Sequence, residues 1–260
     1  MKNLKENKFE TIKVFLEVRM LKIFLLGIIS GFPWVLIGSS LSLWLKEEGL
    51  SRSTIGWAGA IFAVYAINYL WAPLVDKLKI FWLTKKIGHR KSWIFLMQLF
   101  IGISLLIWSS IDPEKNLFFV ILIGLLIAIF SSTQDISIDA LRIEQIKSNE
   151  SNIMAAGASM AVMGWWTGFK IGGLVSLFIS DYFEKLGFYN YWQITFIFLF
   201  FILMLLNFLL LTIEEVSRNV PKENKLSFLK NSKLSIFGKK VNSILLWTFE
   251  TIFTPIYDFF

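Results

Sequence analysis

Apolar residues gather along this chain into six runs, 21–45, 55–75, 93–111, 117–138, 153–179 and 191–213, set apart by short polar stretches. Each run is close to or above the ~20 residues with which a helix crosses about 30 Å of hydrocarbon. None shows the every-second-residue alternation of a barrel strand, so each is read as a transmembrane helix. The pattern predicts an all-α membrane protein with a tail over 1–20, a six-helix unit over 21–213 and a cytoplasmic linker with an interfacial, amphipathic end over 214–260. The third and sixth runs contain no charged residue. The sixth, nearly unbroken aromatic and aliphatic, is expected on the perimeter of the bundle, and the first, fourth and fifth around a polar path.

Small residues sharpen the fifth and first runs. Gly164, Gly168 and Gly172 recur every four residues, and Gly27 and Gly31 share that spacing, which lets another helix backbone approach closely. Pro33 follows two residues later and is expected to kink the first helix and free backbone groups there.

Charge adds orientation. Lys2, Lys5, Lys8, Lys13, Arg19 and Lys22 precede or open the first run; Lys77, Lys79, Lys85, Lys86, Arg90 and Lys91 fill the second loop; Arg142 and Lys147 the fourth; and Arg218, Lys222, Lys225, Lys230, Lys233, Lys239 and Lys240 the C-terminal tail. The alternate loops hold Lys46, Arg52, Lys115 and Lys185, so 21 basic residues lie on one side and four on the other, with Lys170 inside a run. By the positive-inside rule both termini are expected in the cytoplasm. The net charge of +7 therefore reads as a topology signal facing membrane lipid, and no nucleic-acid partner is expected. Trp44, Trp57, Trp108 and Trp192 fall at outer ends and Trp71 and Trp93 at inner ends, as in an aromatic belt. The first run lacks a small-residue cleavage pattern and is expected to stay in the mature protein. Zero cysteines remove disulfides, thiolate metal sites and thiol nucleophiles, and no metal or other cofactor is expected.

The candidate chemistry sits at the inner end of the fourth run. Gln134, Asp135 and Asp139 are followed by Arg142, and the spacing puts Asp135, Asp139 and Arg142 on one helix face. A carboxylate this deep costs up to about 2.5–3.5 kcal/mol, so Asp135 is a candidate for proton exchange, for hydrogen bonding to a substrate or gate, or for a static buried pair. Asp139 and Arg142 could be no more than an intrahelical pair worth a few tenths of a kcal/mol. Lys170 could attract an anionic substrate or snorkel to the outer surface. An enzyme reading also exists, because carboxylates four apart on a helix can hold Mg²⁺ against a diphosphate, as in a membrane prenyltransferase. Such a site needs a second acidic cluster, and Asp76, Asp112 and Asp181 are isolated.

The stretch Ser131-Ser132-Thr133-Gln134-Asp135-Ile136-Ser137-Ile138-Asp139-Ala140-Leu141-Arg142-Ile143-Glu144 resembles the fourth-helix signature of the AmpG family of muropeptide permeases, in the major facilitator superfamily. Gly31-Phe32-Pro33 through Gly38, Trp44-Leu45-Lys46-Glu47-Glu48-Gly49, Leu70-Trp71-Ala72-Pro73-Leu74-Val75-Asp76-Lys77 and Gly88-His89-Arg90-Lys91-Ser92-Trp93 agree in order and spacing. The resemblance implies one six-helix half of a twelve-helix fold, itself two inverted three-helix repeats. It implies import of anhydro-muropeptides, a small-molecule substrate, by proton symport across the bacterial inner membrane. Asp135, Asp139 and Gln134 become the candidates for proton coupling, and Lys170, Trp166 and Pro33 for the substrate path. Asp76, Arg90, Lys91 and Arg142 become a gate, since a carboxylate at one helix's C-terminus and cations at the next helix's N-terminus favour each other over their own dipoles. His89 is expected to be plain loop. Family members often carry arginine where this chain has Trp166, with the cation here displaced to Lys170. A stretch similar to Thr254-Pro255-Ile256-Tyr257-Asp258-Phe259-Phe260 leads into a seventh helix in the family. Either the chain works with a second half, separately encoded or a second copy, or it is a nonconducting remnant of the fold.

Overall fold

A computed structural model describes residues 13–146 and 151–215. Six of the helices in that range are long and apolar enough to cross a membrane. Helix α1 covers Val18–Glu47, α2 Arg52–Leu70, α3 His89–Trp108 and α4 Pro113–Glu144. Helix α5 covers Ser151–Lys185 and α6 Tyr191–Leu210. Of the expected tails over 1–20 and 214–260, residues 1–12 and 216–260, with the Thr254 to Phe260 stretch, lie outside the described residues.

Sequence accounts for where several helices start and bend. Asp112 caps α4 by accepting from the Glu114 N–H at 3.1 Å, with Pro113 at the first helical position, where its missing N–H costs nothing. Pro33 is buried within α1 and is followed by a π-helical turn over Leu36–Ser40 before α-helix resumes at Leu41–Glu47. The expected second span, 55–75, is not one helix. It alternates α-helix and 3-10 turns to Leu70, turns at Trp71 and restarts as Ala72–Lys77. Gly56 and Gly59 have nothing within 4 Å of where a Cβ would sit, so no neighbour holds that part of the helix straight.

Helix α1 lies along α5 and α3 along α4, α6 packs on α3 and α5, and the broken second span rests mainly on α4. The α1–α5 seam is the tightest. A Cβ on Gly31 would overlap the Trp165 carbonyl, one on Gly27 the Ala161 carbonyl, and one on Gly164 the Phe24 carbonyl. The two glycine series therefore face each other, and backbone meets backbone.

Helix α6 lies at the perimeter, as expected, with one face turned into the bundle and the other outward. Trp192, Phe196, Leu199, Leu203 and Leu210 are all 0% exposed, while Phe201 and Phe208 lie outward. A helix apolar on every side carries no signal of which face turns inward, so composition could not reveal this half-buried role. The tryptophan belt needs a correction. Trp44, Trp108 and Trp192 are fully buried and pack on Phe196 at centroid distances of 4.8–5.8 Å, with Trp44 and Trp108 6.0 Å apart. They close one end of the bundle from inside, and only Trp57 of that outer set is exposed.

Candidate functional site

A cavity of about 300 Å³ opens between α1, α4 and α5. Asp135, Asp139 and Arg142 line it from α4, Gly27, Ser30 and Trp34 from α1, and Ala161, Val162 and Trp165 from α5. The glycine seam creates this space, because helices whose backbones touch leave room for the larger side chains beside the contact. Ser30 Oγ donates to Asp135 Oδ1 at 2.7 Å, and Arg142 holds Asp139 at 3.0 Å. The two carboxylates thus have separate partners and separate surroundings. Asp139 is two-thirds exposed, at the mouth, and Asp135 lies one helical turn deeper.

Trp34 and Trp165 are the aromatic part of the wall, with further rings packed behind them. Trp165 stacks on Phe169 with centroids 5.5 Å apart and rings nearly parallel, and meets Trp34 edge-on at 5.5 Å. Trp34 also packs on Tyr65 at 4.4 Å, which brings α2 to the site. The Trp34 indole N–H faces Asp135 and the Tyr65 hydroxyl faces Ser131, each short of full hydrogen-bond geometry. Ser30, Trp34, Tyr65 and Trp165 were not marked by sequence, since an aromatic or serine in an apolar helix is ordinary packing until a neighbour gives it a face.

Other expected site residues fall elsewhere. Gln134 is fully buried and donates to the Ile29 carbonyl at 3.0 Å; it fastens α4 to α1 behind the cavity and does not line it. Pro33 is buried in α1, one residue from the wall at Trp34. Trp166 and Lys170 are exposed on α5, with Lys170 Nζ 5.9 Å from the Trp166 ring centre. They border the outer face of α5, while the neighbouring Trp165 borders the cavity.

A second cluster joins the segment Ala72–Lys77, which follows α2, to the ends of α3, α4 and α6. Arg90 pairs with Asp76 and also reaches Glu144 Oε1 at 3.6 Å. Its side chain is only 15% exposed, so it is a bridge between two carboxylates rather than a solvated cation. Arg142, expected here, belongs to the cavity; Glu144 takes its place. Lys91 is buried and enters the cluster through its backbone. Glu215, just after α6, accepts from the backbone N–H groups of His89, Arg90 and Lys91 at 2.7, 3.1 and 3.0 Å. This carboxylate caps α3 where the helix dipole favours negative charge. Gly88 permits it: its φ is +102°, and a Cβ there would collide with Glu215. His89 is no loose loop residue, because its Nε2 lies 3.0 Å from the Val75 carbonyl oxygen and ties α3 to the end of the α2 segment. Glu215→Ala should lower stability by about 1–2 kcal/mol, the upper range for a lost cap; a fall in Tm in detergent checks this, and Glu215→Gln should recover part of it.

At the opposite end, Glu47 Oε2 accepts from Trp192 Nε1 at 2.6 Å and from the Tyr191 hydroxyl at 3.1 Å, joining α1 to α6. Burial raises the pKa of neighbouring Glu48 above the ordinary carboxylate value; the Trp44 N–H opposes this and Asp112, Glu114 and Glu47 add to it. The folded state then holds a proton that the unfolded chain has released, so stability declines as pH rises from about 4.5 through the raised value. Glu48→Gln should flatten that part of a Tm-against-pH curve and leave the rest unchanged.

Comparison with known proteins fits this geometry. The Major Facilitator Superfamily family model matches residues 23–258. AmpG 4 of Rickettsia felis, a transporter by designation, is 34% identical over 248 residues, which cover 95% of this chain and 54% of that protein. AmpG 1 of Rickettsia bellii is 37% identical over 184 residues, 71% of this chain and 43% of its own length. The anhydromuropeptide permease of Escherichia coli is 26% identical over 170 residues, 65% of this chain and 33% of the permease. The chain spans about half the length of the curated relatives it matches. With six membrane-length helices packed as a half-fold and a family match over nearly its whole length, the chain belongs to the Major Facilitator Superfamily of membrane transporters and within it is similar to the proteins named AmpG.

Proposed function

We propose that this chain supplies a six-helix half of a secondary transporter that imports anhydro-muropeptides across the bacterial inner membrane together with protons, with both termini in the cytoplasm. The observation that carries this reading is Asp135, a carboxylate within a membrane helix, hydrogen-bonded by Ser30 and bordering a cavity whose mouth holds a second carboxylate and an arginine. A charge in a span is retained against its cost where it serves a substrate or proton route. The cavity's aromatic wall suits the apolar face of a sugar ring, and its hydroxyl, indole and guanidinium groups suit the polar rim.

A second half, from another chain or another copy of this one, belongs in the same reading. Helix α5 leaves Val162, Met163 and Trp166 about half exposed beside the cavity, and Leu174 and Phe178 exposed further along, toward the Glu47 end. A unit docked along α5 would enclose the route and bring Trp166 and Lys170 to its wall. Uptake of labelled anhydro-muropeptide by permease-deficient cells tests the proposal, with this chain expressed alone and with the C-terminal half of a relative. Uptake that collapses on adding a protonophore is the expected result. Absence of uptake in every pairing, with protein present in the membrane, would favour the nonconducting remnant.

A further inference from the structure

The loop between α2 and α3 carries a surface that neither the cavity nor the Asp76–Arg90 cluster uses. Phe81 and Trp82 are 82% and 65% exposed, and Leu78 is 44% exposed. Large apolar groups clustered in a polar connection mark a contact surface. Lysines are interleaved with them: Lys86 Nζ lies 3.9 Å from the Trp82 ring centre and Lys85 Nζ 5.0 Å from that of Phe81. Between Lys77 and Lys91 no acidic residue occurs, so the patch has one sign of charge. The short helix Leu83–Ile87 holds the two cations against the rings. Trp93 Nε1 donates to the Leu78 carbonyl at 2.9 Å, fixing the loop to the base of α3.

We propose that residues 78–86 form a foot that inserts Phe81 and Trp82 into the inner leaflet and binds the headgroups of anionic phospholipids through Lys79, Lys85 and Lys86. The proposal rests on the cytoplasmic placement of this loop given above. The occupant follows from charge and position. The loop joins two membrane-crossing helices, so it lies at the depth of the headgroups, where an indole or phenyl ring beside an ammonium meets both of its preferred surroundings. A surface of negative phosphates complements a patch with no negative group of its own, and each lysine near it adds to the attraction. The lysines already sit over the rings, so a phosphate can approach them while the rings remain in the acyl boundary.

The chain's lack of cysteine allows a single reporter. Full-length protein carrying Phe81→Cys, spin-labelled, is reconstituted in vesicles of phosphatidylcholine alone or mixed equally with phosphatidylglycerol, and collision with oxygen and with a water-soluble nickel complex is measured. The expected result is a label sheltered from nickel and open to oxygen, more so with phosphatidylglycerol. Lipid bound to unlabelled protein from the same mixture should favour phosphatidylglycerol by roughly tenfold, and the triple variant Lys79→Gln, Lys85→Gln, Lys86→Gln should lose that preference. A label open to nickel in both vesicles, or spin–spin coupling between labels of two protein units, overturns the proposal. Immersion that ignores phosphatidylglycerol overturns its anionic part. Membrane-impermeant thiol labelling of Phe81→Cys in cells and in inverted vesicles separately tests which side the loop occupies, so a wrong orientation and a failed lipid contact give different results.

Discussion

Asp135→Asn should abolish proton-dependent uptake, by tenfold or more, while leaving the protein folded. Asparagine is nearly the same size, and its carbamoyl oxygen can still accept from Ser30 Oγ, which donates to Asp135 Oδ1 at 2.7 Å. Packing of α4 against α1 is anchored separately by Gln134 on the Ile29 carbonyl. The substitution therefore removes the titratable group and little else. Loss of a carboxylate from a membrane span should hold or raise Tm, since ionised groups at depth are unfavourable. Uptake by Asp135→Asn at the parent rate, with an unchanged response to protonophore, would remove Asp135 from the coupling step. Asp139→Asn is the useful comparison. Its carboxylate is two-thirds exposed and paired with Arg142, so its loss should weaken uptake less and act on apparent affinity before rate.

The second large effect is on stability. Gly31→Leu, or Gly164→Leu, should prevent the protein from accumulating as a monodisperse species in detergent. At both positions the obstacle is backbone: the Trp165 carbonyl in one case and the Phe24 carbonyl and Gly27 Cα in the other. A flexible side chain can move by a few tenths of an ångström, but two helix backbones must separate along their length. The cost lies at or beyond the ~3 kcal/mol end of ordinary overpacking, and the lost contacts belong to the seam that frames the cavity. Fluorescence-detected size exclusion and thermal unfolding would measure it. Gly173→Ala is the control, because its Cβ would meet only Val35 Cγ2 at 3.5 Å, ordinary contact.

Hydropathy reports depth in the membrane far better than it reports rotation about a helix axis, and the legible parts of this chain divide along that line. The six spans, the depth of Asp135 and the glycine spacing are depth and period signals, and the helices and the α1–α5 seam follow them. The inward face of α6 and the burial of Trp44, Trp108 and Trp192 are questions of rotation, and a helix apolar all round leaves them open. Gln134 shows the same limit within one motif. Next to Asp135 in sequence, it points about 100° away around the helix and is used to join helices. The long-range partners were least legible. Glu215 caps a helix that begins 126 residues earlier, and no local pattern links a carboxylate in one loop to three amides in another. The break in α2 had a local trace in Gly56, Gly59 and Pro73, but an unbroken apolar run outweighed it.

That cap also imposes an order on biogenesis. The first turn of α3 leaves the ribosome well before the carboxylate that completes it, by several to tens of seconds at about 5–20 residues per second. Until Glu215 arrives, the amides of His89, Arg90 and Lys91 have only water as partner, and the arginine that bridges Asp76 and Glu144 stands on an unfinished helix end. The nascent chain thus keeps this end of the bundle loose while helices are still being inserted and tightens it only after the sixth has been delivered.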